Sequence, residues 1–223
     1  MSGQNQQFSL SIVQTSSEWD TVARMRYRAY RSIQAIPENA TAHFTDAFDK
    51  KPSSVTFLAY LGPTPIASTR TLCADGNFGD LTSSMAFHDV LERVVPANAV
   101  VVEANRFVVD PLQADLGGGV IWELFRAHLL RCVFEKADYF VAGVRAEHVT
   151  LYRRLMHLEV VSEPRVFPGL QTPMFLMVGD CRRDLERIFQ ERPHLRAAPD
   201  EFEHLFGEVS RVHPDHQHTR PGL

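Results

Sequence analysis

At 223 residues, 44% hydrophobic and 22% charged with a formal net charge of −4, the chain can bury its own core and has no overall attraction for nucleic acid or anionic membrane. It has no apolar run of the roughly 18 residues a membrane helix needs, and its polar start, MSGQNQQFSLS, lacks the regions of a signal peptide, so a cytoplasmic location without membrane insertion is expected. Cys73, Cys132 and Cys181 are odd in number and far apart, which suggests neither a disulfide framework nor a zinc site.

FSLSIVQ (8–14) alternates apolar and polar residues as a half-buried strand does. TSSEWDTVARMRYRAYRSIQAI (15–36) then offers Thr15 or Ser16 as an N-cap, with Trp19, Val22, Met25 and Ala29 at helical spacing. Residues 37–54 read as a long loop of the kind that carries function. SVTFLAYLGPTPIASTRTL (54–72) is a hairpin pattern around a Gly-Pro turn, and 82–95 reads as a short helix ended by Pro96. A strand over 99–109 leads to a helix over 118–136, with Ile121, Leu124, Phe125, His128, Leu129, Cys132 and Val133 on one face.

DYFVAGV (138–144) has a strand's length, EHVTLYRRLMHL a short helix's pattern, and EVVSEP and TPMFLMVGD read as two final strands. Two charged surface helices over 181–193 and 199–209 and a frayed tail complete the order. The division expected is an α/β domain over 1–180, a helical extension of it over 181–212 and a flexible tail over 213–223. The tail holds His213, His216 and His218, for which disorder is expected over metal binding.

The chemistry concentrates in VVEANRFVVDPLQADLGGGVIWELF (101–125). Strand alternation places Glu103 and Asn105 on one face, and Arg106 beside Ala104 on the other. Buried charges need partners or a wet cleft, so a structural ion pair and a reactive site both fit. Gly117, Gly118 and Gly119 open the following helix, where unpaired N–H groups can receive an anion; a tight turn that tolerates glycine is the plainer reading.

Strand, glycine loop and helix in this order resemble the GNAT acyltransferase fold, a central mixed and mostly antiparallel sheet flanked by helices. The loop, Gln113 followed by Gly117, Gly118 and Gly119, is one residue longer than the usual pattern. Residues 20–178 resemble, more narrowly, the acyl-homoserine-lactone synthases and especially the related N-acyl amino acid synthases. RYRAY (26–30), DAFD (46–49), ASTRTL (67–72) and EANRF (103–107) match that family's motifs in order, and YRRLMHLEVV with PRVFPGLQTPMFLMVGD resembles the ending of the amino acid branch. Asn105 replaces the usual Ser or Thr, and the tryptophan after the first arginine in lactone synthases is absent from SIQAIP.

The resemblance implies an acyltransferase that joins a long acyl chain, delivered on acyl carrier protein, to an amino acid amine. It implies no tightly bound cofactor or metal, with acyl-phosphopantetheine as co-substrate. Glu103 becomes the expected general base, the backbone from Arg106 to Val108 the oxyanion donor, and Tyr152 the donor to the leaving thiolate. Arg26, Tyr30, Asp46, Asp49, Arg70, Asn105 and Phe107 are expected to bind substrate, with Arg26 or Arg70 on a substrate carboxylate. Val108, Val109, Gln113 and Gly117 to Gly119 are expected along the phosphopantetheine arm. Phe57, Leu58, Phe107, Phe125, Phe140 and Phe175 are candidate walls for the acyl chain, and Arg126, Arg131, Arg153 and Arg154 a candidate patch for the acidic carrier. A CoA-dependent acyltransferase for a small amine and a non-catalytic acyl-binding protein of the same fold remain open alternatives.

Overall fold

The computed structural model describes residues 8–116 and 118–212. Strand β1 (Phe8–Ile12) leads into α1 (Ser16–Ser32), whose start is set by a capping box: the Thr15 hydroxyl accepts from Glu18 N, and the Glu18 carboxylate returns to Thr15 N. The 37–54 segment contains one 3-10 turn, Ala47–Lys50, and it too is capped reciprocally, by Asp46 and Asp49. Strands β2 (Ser54–Leu61) and β3 (Thr64–Asp75) form the hairpin, with Gly62 at φ +57° supplying its turn.

Helix α2 (Ser84–Val94), β4 (Val100–Val109), α3 (Gly119–Glu135), β5 (Tyr139–Val144) and α4 (Val149–Met156) follow. Three strands close the sheet where two were expected: β6 (Glu159–Val160), β7 (Arg165–Val166) and β8 (Pro173–Asp180). Helices α5 (Cys181–Glu191) and α6 (Pro199–Val212) end the described chain. The order across the sheet is β1-β2-β3-β4-β5-β8-β6, with β7 also on β8, and every pairing is antiparallel except β4 with β5.

Two features of the helical layer differ from the sequence pattern. Helix α3 is covered on both sides, so Arg126, Arg131 and Glu135 are buried along with its apolar face, while Val133 is 41% exposed. Helix α6 is not only a surface helix: Leu205 and Phe206 are buried against Phe57, and Phe206 stacks on Phe134 at 4.6 Å. The expected tail and its histidines lie outside the described residues.

The glycines before α3 divide similarly. Gly117 lies outside the described residues, and a Cβ on Gly118 would meet nothing. At Gly119 a Cβ would come within 2.5 Å of the Phe8 ring, so glycine is there because β1 packs against the first turn of α3. Gly119→Ala should therefore destabilise the fold by about 1–3 kcal/mol in chemical denaturation, despite alanine's better helix propensity. An unchanged or raised midpoint would remove that packing reason.

Candidate active site

Strand β4 carries the site because it is irregular. Arg70 pairs with Asn105 and Ser68 with Val108, so Arg106 and Phe107 together oppose Thr69, and Arg106 has φ +52°. This bulge overturns the simple alternation. Phe107 turns to the α3 side, against Phe125 and His128, and Arg106 joins Glu103 and Asn105 on the side of α1. A non-glycine residue in the left-handed region is costly, and here the ion pairs of its own side chain hold it.

On that side the motif residues form one network. Asp49 Oδ1 lies 2.7 Å from Arg26 Nη1 and 2.7 Å from Arg70 Nη1. Asp46 takes Arg70 at 2.6 Å and 3.1 Å and Arg106 Nε at 3.1 Å, while Arg106 Nη1 donates to the Tyr30 hydroxyl at 3.4 Å. Burial alone would raise both aspartates, but Arg70 and Arg106 hold Asp46, and Arg26 and Arg70 hold Asp49, below the usual carboxylate range.

Arg70 Nε continues the chain to Asn105 Oδ1 at 2.8 Å; Asn105 Nδ2 donates to Thr82 Oγ1 at 2.9 Å, and Thr82 Oγ1 donates to Glu103 Oε1 at 2.6 Å. Glu103, 1% exposed, also accepts from Thr82 N at 2.6 Å and Ser83 N at 2.9 Å. Burial pushes its carboxyl above the usual range, against these donors and the Arg70 charge. Asn105 is thus the link between the ion-pair cluster and Glu103.

Arg26 and Arg70 cannot receive a substrate carboxylate as expected from the sequence. Both side chains are fully buried; Arg70 has all three nitrogens on Asp46, Asp49 and Asn105, and Arg26 has both Nη atoms on Asp49 and Thr56. Asp46 and Asp49 between them engage all three guanidiniums, so an added anion would have to displace one of these carboxylates.

The β4–β5 pairing ends at Ala104 with Ala142, and beyond it the two strands part. A cavity of about 210 Å³ opens in the gap. Its polar wall holds Tyr30, Arg70, Thr82, Glu103, Asn105 and Arg106. Its apolar wall holds Phe107, Val108, Ile121, Phe125, Leu151 and Tyr152, with Phe167, Leu170 and Met174 from the segment before β8. Past Ala104 the edge of β4 that would face β5 faces the cavity instead. The Tyr152 ring packs against Phe125 at 5.0 Å, and burial, with Tyr30 nearby, pushes its hydroxyl well above the usual value, which keeps it protonated. His128, buried behind Phe107 with Nε2 2.7 Å from Thr69 Oγ1, is held neutral by burial, its value lowered to about 3.

Of the proposed acyl-chain residues, Phe107 and Phe125 line the cavity, whereas Phe57, Leu58 and Phe140 fill cores elsewhere and Phe175 is not on the wall. Val109, Gln113, Gly118 and Gly119 are not on the wall either; α3 reaches it through Ile121 and Phe125. Arg126 and Arg131 leave the carrier patch: Arg126 is spent on Glu123 and Glu201, and Arg131 on Glu135 at 2.6 Å inside the core. Arg153 and Arg154 remain exposed. Sequence reasoning missed Thr82, Arg145, His148, Phe167, Leu170 and Met174. Thr82 precedes a helix and reads as a cap, and the others lie in segments whose pattern shows no cleft. Among the described residues no cluster of metal-ligating side chains occurs, and no helix is long and apolar enough to cross a membrane.

A parallel β4–β5 pair that splays over a cavity beside a strand bulge, within a mixed sheet, is the GNAT-like fold, and the family match over residues 21–180 makes this chain an N-acyltransferase. Residues 21–180 match the family model "N-acyl amino acid synthase FeeM", and the chain belongs to that family. It is similar in fold to the structure of FeeM, an N-acyl amino acid synthase from uncultured soil microbes, with TM-score 0.67 and 15% identity over 79% of this chain and 92% of that one. It is also similar to BjaI, a CoA-dependent acyl-homoserine lactone synthase solved with SAM and isopentyl-CoA, with TM-score 0.62 and 13% identity over 92% of this chain and 100% of that one. Escherichia coli ElaA aligns with TM-score 0.55 and 18% identity over 78% of this chain and 99% of that one. No curated protein sequence matches significantly.

Proposed function

We propose that the chain joins a long acyl group, presented as an acyl-phosphopantetheine thioester on acyl carrier protein, to the α-amine of an amino acid. The observation that carries this reading is Glu103: a buried carboxylate, raised by its burial, on the wall of a cavity whose other side is apolar. The amine must lose a proton to attack, and a carboxylate displaced toward neutrality is suited to take it. Both Glu103 oxygens already accept hydrogen bonds, so the proton passes through Thr82 Oγ1, which lies on the cavity wall 2.6 Å from Glu103 Oε1.

The nitrogen then bonds to the thioester carbon, and the exposed edge of β4 from Arg106 to Val108 receives the oxyanion. The C–S bond breaks, and the leaving sulfur takes the Tyr152 proton; the second proton of the attacking nitrogen restores the tyrosine through solvent, and the one held on Glu103 is released, so that thioester and ammonium give amide, thiol and one proton. Tyr30 and Arg106 shape the polar end of the cleft and Phe107 its apolar wall, and Arg26, Asp46, Asp49, Arg70 and Asn105 hold the polar end from behind. Val108 lies on the path of the phosphopantetheine arm.

A second reading, with CoA as donor, is favoured by the burial of Arg126 and Arg131, which removes half of the patch an acidic carrier would meet. Mass spectrometry of lipid extracts from a bacterium expressing this chain should show acyl amino acids that are absent when Glu103→Ala is expressed. Their absence from both, with purified protein equally inactive on acyl carrier protein and acyl-CoA thioesters, would leave a non-catalytic acyl-binding protein.

A further inference from the structure

We infer that Arg145, at the end of β5, receives the carboxylate of the acceptor and so restricts this site to amines that carry an acid. The inference rests on the amide-forming reading above. Among the described residues three arginines reach the cavity, and two are committed. Arg70 is fully buried with all three nitrogens on Asp46, Asp49 and Asn105; Arg106 has all three on Asp46 and Tyr30.

Arg145 is placed otherwise. Its side chain is 29% exposed, and its partners are the local Glu147, at 3.1 Å and itself 54% exposed, and His148. An exposed pair of this kind contributes little, so its guanidinium can be re-aimed at small cost. His148 Nε2 lies 3.0 Å from Arg145 Nη2, and because arginine only donates, this nitrogen accepts; partial desolvation, with the Arg145 charge beside it, lowers the His148 value in the direction that requires.

Strand alternation puts Arg145 on the reacting side of the sheet. Val141 packs with Leu72 and Val101 on the face that holds Glu103, Gly143 meets Met174 and Phe167, and Arg145 follows two residues on. Glu103 and Thr82 therefore stand on the β4 side of the opening and Arg145 across it, in extended backbone just past the end of β5. In this assignment the α-amino acid lies across the opening, with its amine toward Thr82 and its carboxylate in the two-pronged guanidinium.

The test measures initial rates of the purified chain with a mixture of the protein amino acids, then with the best acceptor, its carboxamide and its decarboxylated amine. Wild type should favour the acid, and Arg145→Gln should raise the KM for the acid by about 10- to 150-fold, the worth of a hydrogen bond to a charged group. The KM for the acyl donor should hold, discrimination against the carboxamide should vanish, and Arg145→Lys should recover part of the loss. Unchanged discrimination, or a rise confined to the donor KM, would overturn the assignment. Calorimetric titration with the same amino acids separates the two claims. Binding lost in Arg145→Gln, from a protein that forms no amide, keeps the subsite and discards the reaction; wild type that neither binds nor acylates an amino acid discards both.

Discussion

Glu103→Gln should lower kcat/KM by about 100- to 10,000-fold, the usual worth of a positioned general base. The substitution keeps the shape but places an amide NH2 against one of the three donors that Glu103 now accepts, so it should also cost about 1–3 kcal/mol of stability. The two effects separate by pH. In wild type, activity requires the ionised carboxylate, so kcat/KM should fall as pH drops through the raised value of Glu103; in Glu103→Gln that acidic limb should disappear. Stability runs the other way. A carboxyl raised in the folded state favours folding when protonated, and that contribution is lost as pH rises through its folded value. A variant that unfolds early yet keeps most of its activity would show that Glu103 holds the start of α2 and nothing more.

Asp49→Ala should destabilise the protein by about 3–5 kcal/mol, read from the denaturant midpoint. Asp49 Oδ1 is shared by Arg26 and Arg70, both fully buried, and Oδ2 caps Asp46 N at 3.0 Å. Its removal strands the Arg26 guanidinium out of water and leaves Arg70 with Asp46 alone as a carboxylate partner, and their repulsion adds to the lost bonds. Replacing Arg26 and Asp49 together by Leu and Ala should cost less than the sum of the two single changes, since no stranded charge then remains at Arg26. The lowered values of Asp46 and Asp49 give this network a pH signature: its stabilisation is present above the ordinary carboxylate range and is lost as pH falls through the lowered values. A loss below about 1 kcal/mol on Asp49→Ala, near the value of exposed pairs, would show that water reaches the cluster.

Asn105 illustrates how a departure from a motif is read differently once packed. In the sequence it replaces a hydroxyl residue and leaves catalysis open to question. In the structure its amide uses both ends, accepting from Arg70 and donating to Thr82, which a serine or threonine hydroxyl could match only with a different reach. The substitution therefore retains a hydrogen-bonded connection between the arginine cluster and the proposed base.

The order of strands and helices up to β5, the capped start of α1 and the hairpin were legible in the sequence, and the resemblance to the family's motifs named Arg26, Asp46, Asp49, Arg70, Asn105 and Arg106 as site residues. Periodicity, caps and turn residues act over a few positions and need no tertiary contact to be read. The face of Arg106, the burial of Arg126 and Arg131, the place of Thr82 beside Glu103 and the position of Arg145 were decided by tertiary structure alone. A single extra residue opposite Thr69 reverses the alternation of β4, a second layer of helices covers a face of α3 that looks solvated, and two strands that part after Ala104 create a cavity that no local pattern encodes. Each depends on contacts between segments far apart in the chain, and such contacts, unlike propensities, leave no local periodic trace.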